Sequence, residues 1–348
     1  MKKLVSIVVP VYNEQDNVAL LNQTIQRIFE PLPYRFNIFF VDDGSSDGTL
    51  ENLKKLSLLY DNVRFLSFSR NFGHQAALKA GLDMADGDCV ISMDGDMQHP
   101  PKLIPLLLEK WEEGLEVVYT IRKEDRAQPF MKRKTSNLFY AIMSRLSDIE
   151  IEKGTADFRL LDRKVVDVLS SMQEYDLFFR GLVKWAGFRQ LGIEYVPEQR
   201  NAGVSKYTYR KMLRFALQGF TSFSTRPLYA ATYLGFIFAM LSSLYIPYAV
   251  FSLVFDHPIS GWASIIVTIA FFGGLQLMIL GIIGVYLGKL FTQSKQRPVY
   301  LVRESNLTKG NSRYKGGYLI EDGELVKERY IFKDNNLIKE SNLVKEGI

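Results

Sequence analysis

One cysteine, Cys89, in 348 residues excludes an intramolecular disulfide and suits a reducing compartment. The three histidines, His74, His99 and His257, are too scattered for a His/Cys zinc site. Neither a G-x-x-x-x-G-K-[ST] loop nor a G-x-G-x-x-G loop occurs before residue 227. A nucleotide's pyrophosphate would therefore have to be held by a metal rather than by a glycine-rich helix start. Charge is the scarcest commodity over one long stretch: the 62 residues from Pro227 to Gly288 carry a single charged side chain, Asp256. The overall 47% hydrophobic and 23% charged residues exclude a disordered, collagen-like or disulfide-rich chain. They also conceal two unlike parts.

Pro227–Phe255 and Pro258–Gly288 are uncharged runs of 29 and 31 residues. A helix needs roughly 20 residues to cross a hydrocarbon core of about 30 Å, so both are expected to span a membrane. Arg200, Lys206, Arg210, Lys211, Arg214 and Arg226 precede the pair, and Lys289, Lys295, Arg297 and Arg303 follow it. Only Asp-His-Pro lies between. The positive-inside rule then puts both termini in the cytoplasm, with the protein multi-pass in the inner (plasma) membrane. Gly284 and Gly288 form a small-xxx-small pair that suits close helix packing, within the hairpin or between subunits of a homo-oligomer. Met1-Lys2-Lys3 before Leu4–Val11 imitates the start of a signal peptide, but Pro10 breaks the run and no small-residue cleavage site follows. A buried first strand is the expectation there.

Through residue 120, short apolar runs at Leu4–Val11, Phe36–Val41, Val63–Phe68, Cys89–Met93 and Val117–Ile121 alternate with helical patterns. That alternation predicts a parallel α/β sheet covered on both faces, with ligands at the carboxyl ends of its strands. Polar residues cluster at those ends: Tyr12-Asn13-Glu14 after the first run, Asp42-Asp43-Gly44 after the second, Asp94-Gly95-Asp96-Met97-Gln98 after the fourth. Two carboxylates two residues apart at a strand end can share a hard divalent cation, Mg²⁺ or Mn²⁺. The spacing alone also fits an ordinary Asp/Gly turn.

Six motifs then occur in order: V-V-P-V-Y-N-E at 8–14, V-D-D-G-S-S-D-G-T at 41–49, N-F-G-H at 71–74, D-G-D-M-Q-H-P at 94–100, A-D-F-R-L at 156–160 and R-N-A-G-V-S-K-Y at 200–207. With two apolar runs behind them, the chain resembles the family 2 glycosyltransferases of the GT-A fold. It is most similar to the polyprenyl-phosphate branch, which includes bactoprenol glucosyltransferases and dolichol-phosphate mannose synthase.

The resemblance implies a Rossmann-like GT-A domain followed by two transmembrane helices. It implies an inverting transfer from a nucleotide sugar, UDP-glucose or similar, to a polyprenyl (undecaprenyl) phosphate. Pro10, Tyr12, Glu14, Asp42, Asp43 and Asp94 would bind the nucleotide, with Asp43 favoured over Asp42 for the base or ribose. Asp94, Asp96 and Gln98 would hold Mg²⁺ or Mn²⁺. Asp157 stands at the family's proposed base position and Asp96 beside the leaving group. The structural alternative for Asp157 is a partnership with Arg159. Arg122, Arg133, Ser136, Arg200, Ser205 and Lys206 would receive the acceptor phosphate, although Val204 stands where the family often has Glu.

The expected organisation is a cytosolic catalytic domain over 1–205 and an amphipathic juxtamembrane segment over 206–226. Spans over 227–255 and 258–288 follow, then a cytosolic tail over 289–348 in which Gly317–Lys333 has strand character. A processive polysaccharide synthase would carry Q-x-x-R-W, and Gly181–Trp185 lacks it. A non-catalytic scaffold sits poorly with intact Asp94, Asp96, Asp157 and Arg200. A nucleic-acid enzyme is unsupported, because the basic residues crowd the membrane side. Another membrane glycan or glycolipid acceptor stays open.

Overall fold

The computed structural model describes residues 2–123, 152, 154–175, 177–196, 225–243, 247, 261–307, 318–321, 324–333 and 336–343. They fall into two compact units. One is drawn from within 1–140, 149–207 and 297–348, and the other from within 141–148 and 208–296.

The first unit is built on β1 (Leu4–Val11), β2 (Arg35–Asp42), β3 (Val63–Phe68) and β4 (Cys89–Ser92). These strands run parallel in the order β3-β2-β1-β4. Every β1 residue after Leu4 is buried, as a parallel strand covered on both faces requires. The covering helices include α1 (Val18–Phe29), α2 (Thr49–Leu59), α3 (His74–Met84) and α4 (Ile104–Glu112). Helix α1 buries Val18, Leu21, Ile25 and Phe29, one stripe at helical spacing. Helix α3 lies against β1 at Gly81, where a Cβ would stand 2.2 Å from Val8 Cγ1, so only glycine permits that approach.

Beyond β4 the sheet departs from the parallel arrangement expected. β6 (Thr155–Asp162) runs antiparallel to β4 and to β5 (Val117–Arg122), and β7 (Gln190–Tyr195) pairs parallel with β5. The fold is thus a mixed α/β sheet. The sequence pattern misleads here because an apolar run reports burial on both faces, which β6 has over six successive residues, and says nothing of direction. Helices α5 (Arg163–Ser171) and α6 (Phe179–Trp185) follow β6.

The other edge is extended from the far end of the chain. β8 (Leu301–Ser305) pairs antiparallel with β3, and β9 (Tyr318–Glu321), β10 (Glu324–Lys333) and β11 (Asn336–Leu343) complete an eleven-stranded sheet. Tyr300 anchors this return: it is 1% exposed, stacks on Phe68 at 5.2 Å, and donates to Asp83 Oδ2 over 3.2 Å.

The second unit contains α7 (Arg226–Ser243) and α8 (Trp262–Ser294). Phe238 of α7 meets Phe271 and Phe272 of α8 edge to face, at 5.7 and 5.8 Å. Within α8, the 24 residues Phe271–Ser294 are long and apolar enough to cross a membrane, with a mean hydropathy of 1.9. At 1.5 Å per residue they extend about 36 Å. The apolar part of α7, Leu228–Phe238, is shorter, and residues 244–246 and 248–260 lie outside the described set. The span expected over 227–255 is therefore not seen over the described length, whereas the one expected over 258–288 overlaps α8. Gly284 and Gly288 have no described atom within 4 Å of a built Cβ, so the small-residue pair makes no contact with α7.

Candidate active site

The carboxyl ends of β1, β2 and β4 lie side by side in the sheet, and the loops that leave them are held by their own polar side chains. Asn13 adopts φ +55°, and its side-chain oxygen accepts from Ser46 N–H at 2.9 Å, which ties the loop after β1 to the loop after β2. Glu14 N–H donates to Thr49 Oγ1 at 2.9 Å, and its carboxylate takes Asn17 Nδ2 at 2.6 Å. Tyr12 is 40% exposed at the strand end, whereas Pro10 is buried inside β1 in register with Val41.

The paired aspartates after β2 face inward. Asp42 accepts from Ser45 N–H at 3.0 Å and Ser67 Oγ at 2.7 Å. Asp43 accepts from Phe72 N–H at 2.7 Å and Gly73 N–H at 2.9 Å, organising the turn before α3. Burial raises the Asp43 pKa, with the two backbone donors partly offsetting it.

The loop after β4 is closed by His99. Its Nδ1 accepts from Asp94 N–H at 3.1 Å, so the ring proton lies on Nε2, 3.5 Å from Asp94 Oδ2. The ring is buried and stacks on Phe158. Gly95 passes so near β1 that a Cβ would fall 2.7 Å from Val11 Cγ1. Asp96 Oδ1 accepts from Gln98 N–H at 3.1 Å around Met97, whose φ is +61°. Asp94 Oδ1 is buried and has no hydrogen-bond partner. An orphaned carboxylate oxygen beside a second carboxylate fits a hard cation that keeps water and substrate ligands of its own. Among the described residues, no group of three or more His, Cys, Asp or Glu is arranged to hold a metal.

Antiparallel β6 brings Asp157 to this loop. Ser92 at the end of β4 pairs with Arg159, so Asp157 lies two residues past that strand end. Arg180 of α6 grips its carboxylate with Nε to Oδ1 at 3.0 Å and Nη2 to Oδ2 at 2.9 Å. Arg159 adds Nη2 to Oδ1 at 3.1 Å. His74 Nε2 stands 3.7 Å from Asp157 and 3.5 Å from Asp94, bridging the two acids at ion-pair range. Gln75, the next residue on α3, accepts Phe179 N–H at 3.0 Å and so joins the helix of His74 to that of Arg180.

Charge explains the order of this cluster. Burial alone would raise the Asp157 pKa, but Arg180, the His74 contact and Arg159 outweigh it and hold the carboxyl well below the usual range. Burial works against a charged His74 too. The contact with Asp157 and the charges of Asp94 and Asp157 overcome it, Arg180 opposing them, and its pKa is raised to about 9. At neutral pH His74 is a cation.

The structure therefore brings Asp157 to Asp94 by way of His74, with Asp96 and Gln98 in the same loop as Asp94. It sets Tyr12 and Glu14 at the neighbouring strand end and Arg122 at the end of β5. Arg133, Ser136, Arg200, Ser205 and Lys206 lie outside the described residues. The base role expected of Asp157 is ill served by a carboxylate so fully engaged. Its partnership with Arg159, the other expectation, is present, with Arg180 as a third member that sequence reasoning missed. The available signal was one arginine in the apolar run Leu177-Phe178-Phe179-Arg180-Gly181-Leu182-Val183, since a charge carried into a core needs a partner there. His74 and His99 stood within quoted motifs without a role.

Residues 6–169 match the family described as Glycosyl transferase family 2. The chain is 42% identical over 301 residues to the uncharacterized glycosyltransferase YkcC of Bacillus subtilis, covering 86% of this chain and 93% of that protein. It is 40% identical over 308 residues to the SfII prophage-derived bactoprenol glucosyl transferase of Shigella flexneri, covering 88% and 99%. The bactoprenol glucosyl transferase of Shigella phage SfV is 40% identical over 300 residues, covering 86% and 98%. Among solved structures, mannosyl-3-phosphoglycerate synthase from Rubrobacter xylanophilus aligns with a TM-score of 0.42 at 19% identity, covering 62% of this chain and 71% of that one.

Proposed function

This chain belongs to glycosyl transferase family 2, and from that premise we propose that it transfers a sugar from a nucleotide-sugar donor to a polyprenyl phosphate at a membrane surface, inverting the anomeric carbon. The observation that carries this reading is near full-length similarity to proteins named bactoprenol glucosyl transferases, which includes the segment of the membrane-length helix. UDP-glucose is the first donor to try.

The nucleotide would lie across the ends of β1 and β2, against Tyr12 and Glu14. Asp94 and Asp96, with Gln98 beside them, would hold Mg²⁺ or Mn²⁺, which when bound supplies positive charge to the departing diphosphate. His74 and Arg180 are 40% and 33% exposed, while the Asp157 side chain between them is 9% exposed. Asp157 thus works as a rear anchor that aims two cations at the space where phosphates meet. A phosphate monoester with a second pKa of about 6 is already ionised near neutral pH, so the acceptor needs little proton removal. That suits an Asp157 that positions rather than abstracts. The membrane placement we assign uses α8 as one span and the run around α7 as the other, with both termini and the catalytic unit cytoplasmic.

Purified protein with Mg²⁺, undecaprenyl phosphate and a panel of sugar nucleotides should yield a lipid-linked sugar from at least one donor. Transfer from none, or only to a soluble glycan acceptor, would overturn the reading.

A further inference from the structure

A pocket on the far side of Asp157 from the β1 and β2 loops is lined by Tyr119, Glu152, Arg159, Arg180, Lys184 and Gln190. Arg180 and Lys184 are four residues apart and present one face of α6 to it. Arg159 is 2% exposed, yet its Nε has no hydrogen-bond partner. Lys184 is half-buried and makes no ion pair or hydrogen bond among the described residues. Glu152 is engaged by the Tyr119 hydroxyl at 2.7 Å. Three cations thus share one pocket with one lining carboxylate, Glu152, while Asp157 stands behind them bonded to Arg159 and Arg180. A buried guanidinium N–H and an ammonium are left over.

We infer that this pocket is the subsite for the phosphate monoester of the acceptor, with Lys184 and Arg159 Nε as donors and Arg180 linking it to Asp157. Guanidinium and ammonium groups held in a partly dry recess suit a dianionic phosphate group. Sheet order decides which phosphate. Across β2-β1-β4-β6-β5-β7, the expected nucleotide residues lie on β1 and β2, the acidic pair on β4 and Asp157 on β6. The pocket comes last, over β5 and β7, so donor and acceptor phosphates approach from opposite sides. The inference rests on the proposed reaction for its ligand and adds residues not previously expected in it.

The test is calorimetric titration of the full-length, detergent-solubilised protein with geranyl phosphate, with inorganic phosphate and geraniol as separate arms. Geranyl phosphate should bind and geraniol should not. Lys184→Gln should weaken binding at least tenfold, Lys184→Arg should restore most of it, and nucleotide-sugar affinity should stay unchanged in both. Gln190→Glu, which adds a carboxylate to the same pocket, should weaken binding similarly and guards against a misfolded Lys184→Gln. No binding of geranyl phosphate, or unaltered affinity in Lys184→Gln and Gln190→Glu, overturns the subsite. Inorganic phosphate binding as tightly as geranyl phosphate overturns its assignment to a lipid acceptor. Binding through Lys184 without sugar transfer from any donor would sink the proposed reaction and leave the subsite standing.

Discussion

Two groups of aspartates stand on either side of β1 in the sheet, and their partners divide them. Asp42 and Asp43 after β2 receive backbone N–H groups and a serine hydroxyl. Asp94 after β4 and Asp157 on β6 instead face His74, and Asp157 also faces two arginines. The first pair fastens loops, because a neutral donor fixed in the chain can only hold the chain in place. The second set gathers cations whose outer faces remain open, which is what a site for phosphates needs. Residue type is shared, so the difference lies in what each carboxylate is bound to.

Substitutions should split along that line. Asp94→Asn removes the charge beside the orphaned Oδ1 and should lower kcat by about 10²–10³-fold, the range for losing one focused electrostatic contact to a transition state. Its melting temperature should fall only slightly, since the side chain is 34% exposed and Oδ1 makes no hydrogen bond, only the 3.5 Å ion pair with His74. Turnover within threefold of the parent would remove Asp94 from the chemistry. Asp157→Ala should cost about 3–5 kcal/mol of stability, because it strands Arg159 in the interior. Asp43→Ala leaves two backbone N–H groups unpaired and should cost less, about 1–3 kcal/mol. Denaturant titration of the three proteins gives the ranking. An Asp43→Ala cost as large as that of Asp157→Ala would erase the distinction.

Much of this was legible beforehand. Leu4–Val11 and Cys89–Met93 read as buried strands because continuous apolar runs are what double-sided burial demands, and both form strands that pair parallel with each other. Asp94 and Asp96 were legible from a two-residue spacing at a strand end. Arg180 was not, because its link to Asp157 joins positions 23 apart through a helix and an antiparallel strand whose direction no local pattern reports. Asp43 was favoured for the nucleotide, yet both its oxygens accept backbone N–H groups. A sequence shows the carboxylate but not the donors that reach it. The return of the chain from α8 to β3 was also hidden, because Tyr300 finds Phe68 and Asp83 across more than 200 residues.

The smallest expected effect is the most specific to the cationic side of the comparison. His74 has a pKa of about 9 when folded against an ordinary value near 6.5, so folding favours its protonated form. The stabilisation this contributes is fully present below about pH 6.5 and is lost as the pH rises through 9. Asp94 and Asp157 attract the ring and Arg180 repels it, so the net effect is set by the two acids. In metal-free protein, the melting temperature of the parent should therefore fall relative to His74→Gln between pH 6.5 and 9. The difference should be small, because a side chain 40% exposed is screened by water, and it should shrink further in high salt. Asp43 bonds to backbone N–H groups, and the charge of His74 is the smallest of the influences on it, so Asp43→Asn should show a much weaker slope over that range. A parent-minus-variant difference for His74→Gln that stays flat from pH 6.5 to 9 would mean that the ring is neutral when folded, and the cluster around Asp157 would then rest on its arginines alone.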